Sequence, residues 1–189
     1  QDVILVMGHS GNWEWLDAML NPRIKHQLQS LYQPAKNPHI DDFIRKNRTQ
    51  FGTKVIERKI ALRAVLKANT PIPTATIFLA DQSPSEMKKA TWLPFFSKDS
   101  PFFNGYAAFA KKLNNPIVYL HIAKKGRGKY EVQFTDLIPD PSSFSKEEIV
   151  EKFSKTLEGK IKAQPFNWLW SHKRWKRAHL SPNLKKSTT

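Results

Sequence analysis

The chain has no cysteine among its 189 residues. That excludes a disulfide, a thiolate nucleophile and any cysteine-based metal site. No apolar run reaches the ~18 residues of a membrane-crossing helix, and no signal-peptide pattern is visible. H-E-x-x-H, the P-loop and the dinucleotide fingerprint are all missing, and the six histidines are dispersed. No metal and no nucleotide cofactor is therefore expected. Acidic residues are scarce, 16 against 31 Lys and Arg, which leaves a net charge of +15 and calls for an anionic partner.

The shortage of acid is sharpest at the end. None follows Glu158, while Lys160, Lys162, Lys173, Arg174, Lys176, Arg177, Lys185 and Lys186 do. Trp168, Trp170 and Trp175 are interleaved with them. Tryptophan beside cation suits a membrane interface, with rings at headgroup level and charges on anionic lipid. The same composition would serve single-stranded nucleic acid through stacking and phosphate contacts, or stand as a solvated basic tail.

What the chain does have is a core: 40% of residues are hydrophobic and 12% aromatic, enough for one domain. Val3 to Met7 is an unbroken apolar run, the pattern of a strand covered on both faces. Helical spacing of Trp13, Leu16 and Leu20 follows. Strands are expected at 28–33, 74–80, 116–123 and 129–135. Asn37-Pro38 starts a helix, with Asn as cap and Pro at the first position. Ile40, Phe43, Ile44, Asn47 and Phe51 trace its inward face, and Gly52 closes it. A helix at 59–69 would turn Leu62, Val65 and Leu66 inward, and another covers 105–113. Ser145-Lys-Glu-Glu148 is a capping box before the stripe Ile149, Phe153, Leu157 and Ile161. Alternating strands and helices predict an α/β fold: three layers, with a mixed, mostly parallel sheet flanked by helices.

The chemistry concentrates after the first strand, in Gly8-His-Ser-Gly-Asn-Trp-Glu-Trp15. His9 stands at the carboxyl end of a strand, where open α/β sheets bind ligands. It can take a proton near neutral pH. Glu14, five residues on, can fix its tautomer and stabilise the imidazolium. Small residues around His9 would let a substrate approach the backbone. Ser10 lacks a G-x-S-x-G elbow and reads as structural. Arg48, near the end of its helix, can grip an anionic group with two parallel hydrogen bonds, or form a helix-end ion pair. Asp81 ends a strand on the same crevice edge, as an active-site wall residue or as an Asx turn. The stretch from Asp81 to Asn104, about 24 residues, is long for a loop in a compact domain. Trp92, Phe95, Phe96, Phe102 and Phe103 crowd it. They would line an acyl pocket, dip into a bilayer, or form a satellite core.

His-Ser-Gly-Asn-Trp-Glu resembles the first motif of the glycerolipid acyltransferase superfamily, and within it the bacterial lipid A biosynthesis (lauroyl and myristoyl) acyltransferases. Further blocks match in order. These are Tyr32-Gln-Pro-Ala-Lys-Asn-Pro38, then Arg48 and Gly52, then Asp81-Gln-Ser-Pro84, then Pro94-Phe-Phe96 and finally Pro165 to Lys176. Ser97 stands where that family usually has glycine. The resemblance runs from residue 3 to about residue 177. It implies an acyltransferase domain at 1–177 and a basic polar tail at 178–189. It implies transfer of an acyl chain from acyl-acyl carrier protein to a hydroxyl of a lipid A precursor, with His9 as general base oriented by Glu14. Asn12, Arg48, Arg58, Asp81 and Gln82 would bind substrate. It also implies work at the cytoplasmic face of the inner membrane, on an anionic membrane surface and without nucleic acid. The family's anchor helix would precede Gln1, so the chain reads as a fragment. Another glycolipid or phospholipid acceptor, such as a phosphatidylinositol mannoside, stays open. A basic nucleic-acid-binding protein and an inactive homologue compete less well, because neither explains His9 and Glu14 together.

Overall fold

The computed structural model describes residues 1–67 and 71–184. Its centre is a six-stranded sheet in the order β3-β2-β4-β1-β7-β8. The strands are β1 (Val3–Met7), β2 (Gln27–Tyr32), β3 (Lys54–Glu57), β4 (Thr74–Leu79), β7 (Ile117–Gly126) and β8 (Lys129–Ile138). All neighbours are parallel except β7 and β8, which form a long antiparallel hairpin. Helices α1 (Leu16–Leu20), α2 (Pro38–Thr49), α3 (Ala61–Lys67), α4 (Gly105–Leu113) and α5 (Lys146–Ala163) flank it. This is the mixed, mostly parallel α/β architecture expected from the alternation of patterns.

The unbroken apolar run of β1 now has its reason. Successive side chains point to opposite faces, and both faces are covered. Ile4 and Val6 join a core with Phe78, Tyr119, Phe109 and the α5 stripe, and Leu5 and Met7 join one with Leu16, Leu20, Leu28 and Ile122. In the α5 stripe, Ile149, Phe153, Leu157 and Ile161 are all buried. Each contributes roughly 1.5–3 kcal/mol of transfer free energy. The helix starts at the expected capping box, where the Ser145 hydroxyl accepts from the Glu148 backbone and the Glu148 carboxylate accepts from the Ser145 backbone. At α2, the Asn37 side chain accepts from the backbone N–H of His39 and Ile40.

Three expectations change. The stretch after Asp81 is not a bare loop. It contains a second sheet, the hairpin β5 (Thr91–Phe95) and β6 (Lys98–Phe102). Its two turn residues, Phe96 and Ser97, have φ of 50° and 60°, the backbone of a tight hairpin turn that favours glycine. Phe95 and Phe102 are fully buried in the main core, so they line neither an acyl pocket nor a bilayer. Trp92, Phe96 and Phe103 are half-buried beside them. Secondly, α2 does not bury its apolar row: no residue of the helix is buried, and Phe43 is 67% exposed. On α3 only Ala61 and Val65 turn inward, while Leu62 and Leu66 are exposed. Asn69 lies outside the described residues. Thirdly, β3 was not anticipated, because Lys54–Glu57 is short and mixed in polarity.

Candidate active site

β1 and β4 are neighbours in register, Met7 opposite Leu79. The residues just past their carboxyl ends are therefore brought side by side. His9 Nδ1 lies 2.5 Å from Asp81 Oδ1. The other oxygen, Asp81 Oδ2, accepts from the His9 backbone N–H at 3.0 Å and from Trp168 Nε1–H at 2.8 Å. Asp81 is 2% exposed. Burial by itself raises its carboxyl pKa, but the hydrogen bonds and charge of His9, with the bond from Trp168, outweigh it and hold the group below the ordinary carboxylate range. A carboxylate bound this way demands a proton on Nδ1 and leaves Nε2 with its lone pair. The Gln82 side-chain nitrogen lies 3.3 Å from that Nε2. Trp13 meets the imidazole ring edge to face at 5.2 Å.

The carboxylate that orients His9 is thus Asp81 and not Glu14. Glu14 is the middle residue of a short 3-10 turn, Trp13–Trp15, that carries its side chain outward to Arg48. Arg48 Nη2 donates to Glu14 Oε1 at 2.8 Å and Nε to Oε2 at 3.2 Å. Trp13 Nε1–H donates to the same carboxylate. Desolvation raises the Glu14 pKa, and the bond and charge of Arg48 bring it below normal; His9 adds to the lowering, so the pair is within electrostatic reach of the imidazole. The fork expected to grip a substrate anion is held by a protein carboxylate, which engages Nε and Nη2. Asn12 precedes the 3-10 turn without a side-chain cap bond. Arg58 stays exposed after β3, near enough to Glu86 to lower its pKa. Met7, Trp13, Glu14, Asp17, Arg48 and Leu79 border a cavity of about 40 Å³, room for little more than one water. A cleft of about 540 Å³ lies elsewhere, among Val3, Leu5, Val118 and Phe134 near the amino ends of β1 and β7.

The basic, tryptophan-rich C-terminal segment is not a free tail over its described length, although Phe166, Trp170, Lys173 and Lys176 remain exposed. It runs back beside His9. Leu169 N–H donates to His9 O, Gly11 N–H to Asn167 O, and Ser10 bridges Trp168. Asn167 Nδ2 is anchored on Ile122 O. His172 Nε2 accepts from the Ser83 backbone, and Arg177 donates to Pro84 O, so the segment also clasps the Asp81–Pro84 turn. Trp168 is 6% exposed and packs with Phe95, Trp170 and Trp175. Only Trp170 of the three is exposed, at 46%. Arg174 is fully buried, its guanidinium 4.4 Å from the Phe102 ring centroid, with Nη2 donating to Pro101 O. Burial lowers its pKa to about 10, against the pull of Asp81, and it stays charged at neutral pH. Lys185 and Lys186 lie outside the described residues.

The glycines near His9 serve packing, not substrate approach. A Cβ on Gly8 would stand 2.7 Å from Leu157, and one on Gly11, where φ is +60°, 2.9 Å from Ile122 O. Asn167, His172, Arg174 and Arg177 were missed as parts of the site. A readable signal existed for Asp81: it and His9 both follow apolar runs that had to be strands. No comparable signal in the residues themselves brought 167–177 to His9.

A histidine–aspartate pair, its Nε2 facing Gln82, stands at the carboxyl edge of an α/β sheet, where such folds bind their ligands. The class this matches is the acyltransferases. The family model described as bacterial lipid A biosynthesis acyltransferase matches residues 1–177, and the chain belongs to that family. A comparison with curated proteins gives no match.

Proposed function

We propose that this protein transfers a fatty acyl chain from acyl-acyl carrier protein to a hydroxyl of a lipid A precursor. His9 Nε2 takes the proton of the acceptor hydroxyl as its oxygen attacks the thioester carbonyl. The tetrahedral intermediate collapses, the C–S bond breaks, and the imidazolium returns the proton to the departing carrier thiolate. Asp81 fixes the Nδ1–H tautomer and stabilises the imidazolium in between. Gln82 caps Nε2 when the site is empty and is displaced by the hydroxyl. Glu14 and Arg48 act as a unit: the carboxylate engages Nε and Nη2 and sets the guanidinium, leaving Nη1 for an acceptor anion. Residues 1–177 form the catalytic domain; the expected tail is packed against it as far as it is described, with Ser181 buried and its hydroxyl donating to Asp99. The reaction belongs at the cytoplasmic face of the inner membrane.

The observation that carries this reading is the His9–Asp81 contact at adjacent strand ends in a chain of this family. The test incubates purified protein with acyl-acyl carrier protein and a phosphorylated, partly acylated glucosamine disaccharide. Mass spectrometry should find the acceptor heavier by one acyl chain, and His9→Ala should abolish the product. Wild-type protein that acylates only another glycolipid or a phospholipid would move the reading to that acceptor.

A further inference from the structure

A twelve-residue helix with no buried side chain is unusual, and α2 is one. Its outer row holds Ile40 and Phe43, 52% and 67% exposed, at the spacing of neighbours on a helix face. Phe51 follows at 51%, and Ile60, Leu62 and Leu66 on and before α3 are 54%, 39% and 57% exposed. Helices α2 and α3 both lie against β3, the edge strand of the sheet. Helix α2 lies over the sheet face of Met7 and Leu16, and α3 over the face of Ile4 and Val6, so these six large apolar side chains flank the β3 edge from its two sides. Single exposed apolar residues need no explanation, but a gathering of this size marks an interaction surface.

Charge selects the occupant. Lys36, Arg45, Lys54, Lys59 and Arg63 are exposed among these side chains. Of the local acids, Asp42 is paired with Lys46 and Asp41 accepts the Ala35 backbone N–H. A second copy would set this basic rim against itself. An acidic soluble protein would answer the cations but leave most of the aliphatic and aromatic bulk unexplained. An anionic bilayer answers both, with cations at the headgroups and apolar side chains below them. We infer that the α2–β3–α3 edge is the face this protein lays on an anionic lipid surface, in place of the C-terminal tryptophans. Arg48, on the last turn of α2, reaches Glu14 beside His9, so a helix resting on the bilayer leads directly to the site. The inference rests on the acyltransferase reading only for its purpose, delivery of a lipid acceptor.

The absence of cysteine makes the test clean. Phe43→Cys and Leu62→Cys, each carrying an environment-sensitive fluorophore, are compared with Arg127→Cys in the β7–β8 turn at the opposite sheet edge. With phosphatidylglycerol-containing vesicles the first two labels should shift to the blue and be quenched by spin-labelled lipid, and the third should not. Arg45→Gln should lower partitioning roughly fivefold. Labels at 43 and 62 that stay aqueous while the protein binds vesicles would overturn the assignment. So would labels already shielded in a dimer without lipid, or shielded by acyl carrier protein alone. In turnover assays, Phe43→Ser with Arg45→Gln should spare a detergent-dispersed acceptor and impair a vesicle-borne one. Equal loss on both counts against the inference. Absence of turnover in the wild type would defeat the acyltransferase reading while the labels still report on the surface.

Discussion

At the residue scale, the two acids near His9 divide their work, and their substitutions should separate. Asp81→Asn keeps the shape but loses the charge that sets Nδ1 and supports the imidazolium, so kcat should fall by roughly 10²–10⁴. Glu14→Gln leaves the His9–Asp81 contact intact and loosens Arg48. It should cost less in kcat and raise KM for a phosphorylated acceptor, as Arg48→Lys should, because lysine lacks the fork. Steady-state kinetics of the three variants decides this; a Glu14→Gln loss equal to that of Asp81→Asn would return Glu14 to the proton-transfer chain. A second residue governs acid stability. His121 on β7 is 5% exposed, and its Nδ1 has no partner. Burial first, and Lys160 second, lower its pKa from 6.5 to about 4. Below pH 6.5 the unfolded chain takes up a proton that the folded one refuses, so stability falls as pH drops from about 6.5 to about 4. The loss is on the order of 2–3 kcal/mol. Urea titrations of His121→Phe across that range should show a flatter acid limb.

Among elements, the β5–β6 hairpin and the returning C-terminal segment bear the most on the site. Ser97 holds a left-handed φ of 60° at the hairpin turn, a conformation that costs a residue with a Cβ roughly 1 kcal/mol. Ser97→Gly should therefore raise stability by about 0.5–1 kcal/mol, read as a higher melting temperature with unchanged turnover. The family's usual glycine at this turn has the same physical cause. Trp168→Phe keeps a ring in the aromatic cluster but removes the Nε1–H donor to Asp81. It should cost about 1.5–3 kcal/mol in stability, since the buried Asp81 Oδ2 loses one of its two donors and keeps only the His9 backbone N–H, and lower kcat as well. Strands β1, β2, β4, β7 and β8, the α5 capping box and stripe, and the Asn37 cap were legible because each is written in local periodicity or in a single cap; β3, β5 and β6 were not. The exposed face of α2 was not. Periodicity locates an apolar row but does not say whether anything covers it, and Ile40 and Phe43 satisfy a buried pattern while standing in the open. The pairing of Glu14 with Arg48 escaped for a related reason: sequence distance put Glu14 near His9, but a 3-10 turn swung it the other way.

For the whole molecule, charge and fold act at different ranges. The net +15 is spread over a surface that any acidic donor must approach. Screening shortens that field to about 8 Å at physiological salt. The kcat/KM for an acidic carrier-borne donor should thus fall steeply between low and moderate salt, while kcat at saturating donor should hardly move. A salt series in a steady-state assay checks this. Identical salt dependence for an acyl donor stripped of its carrier would remove the carrier from the argument. The fold class itself was legible at this scale, since alternating strand and helix patterns admit few arrangements. The joining of residues 167–177 to His9 was not, because it is a contact across some 159 residues of sequence.

That joining has a consequence in time. A ribosome releases Trp168 some 159 residues after His9. Until residues 167–177 emerge, Asp81 has no indole donor, the Asp81–Pro84 turn has no clasp, and Ser10 has no bridge partner. A nascent chain can build most of its sheet and still have no finished catalytic centre. Contacts of such long sequence separation also form late in refolding. Activity should thus be the last property regained after dilution from denaturant, lagging behind the return of secondary structure and appearing together with the change in tryptophan fluorescence.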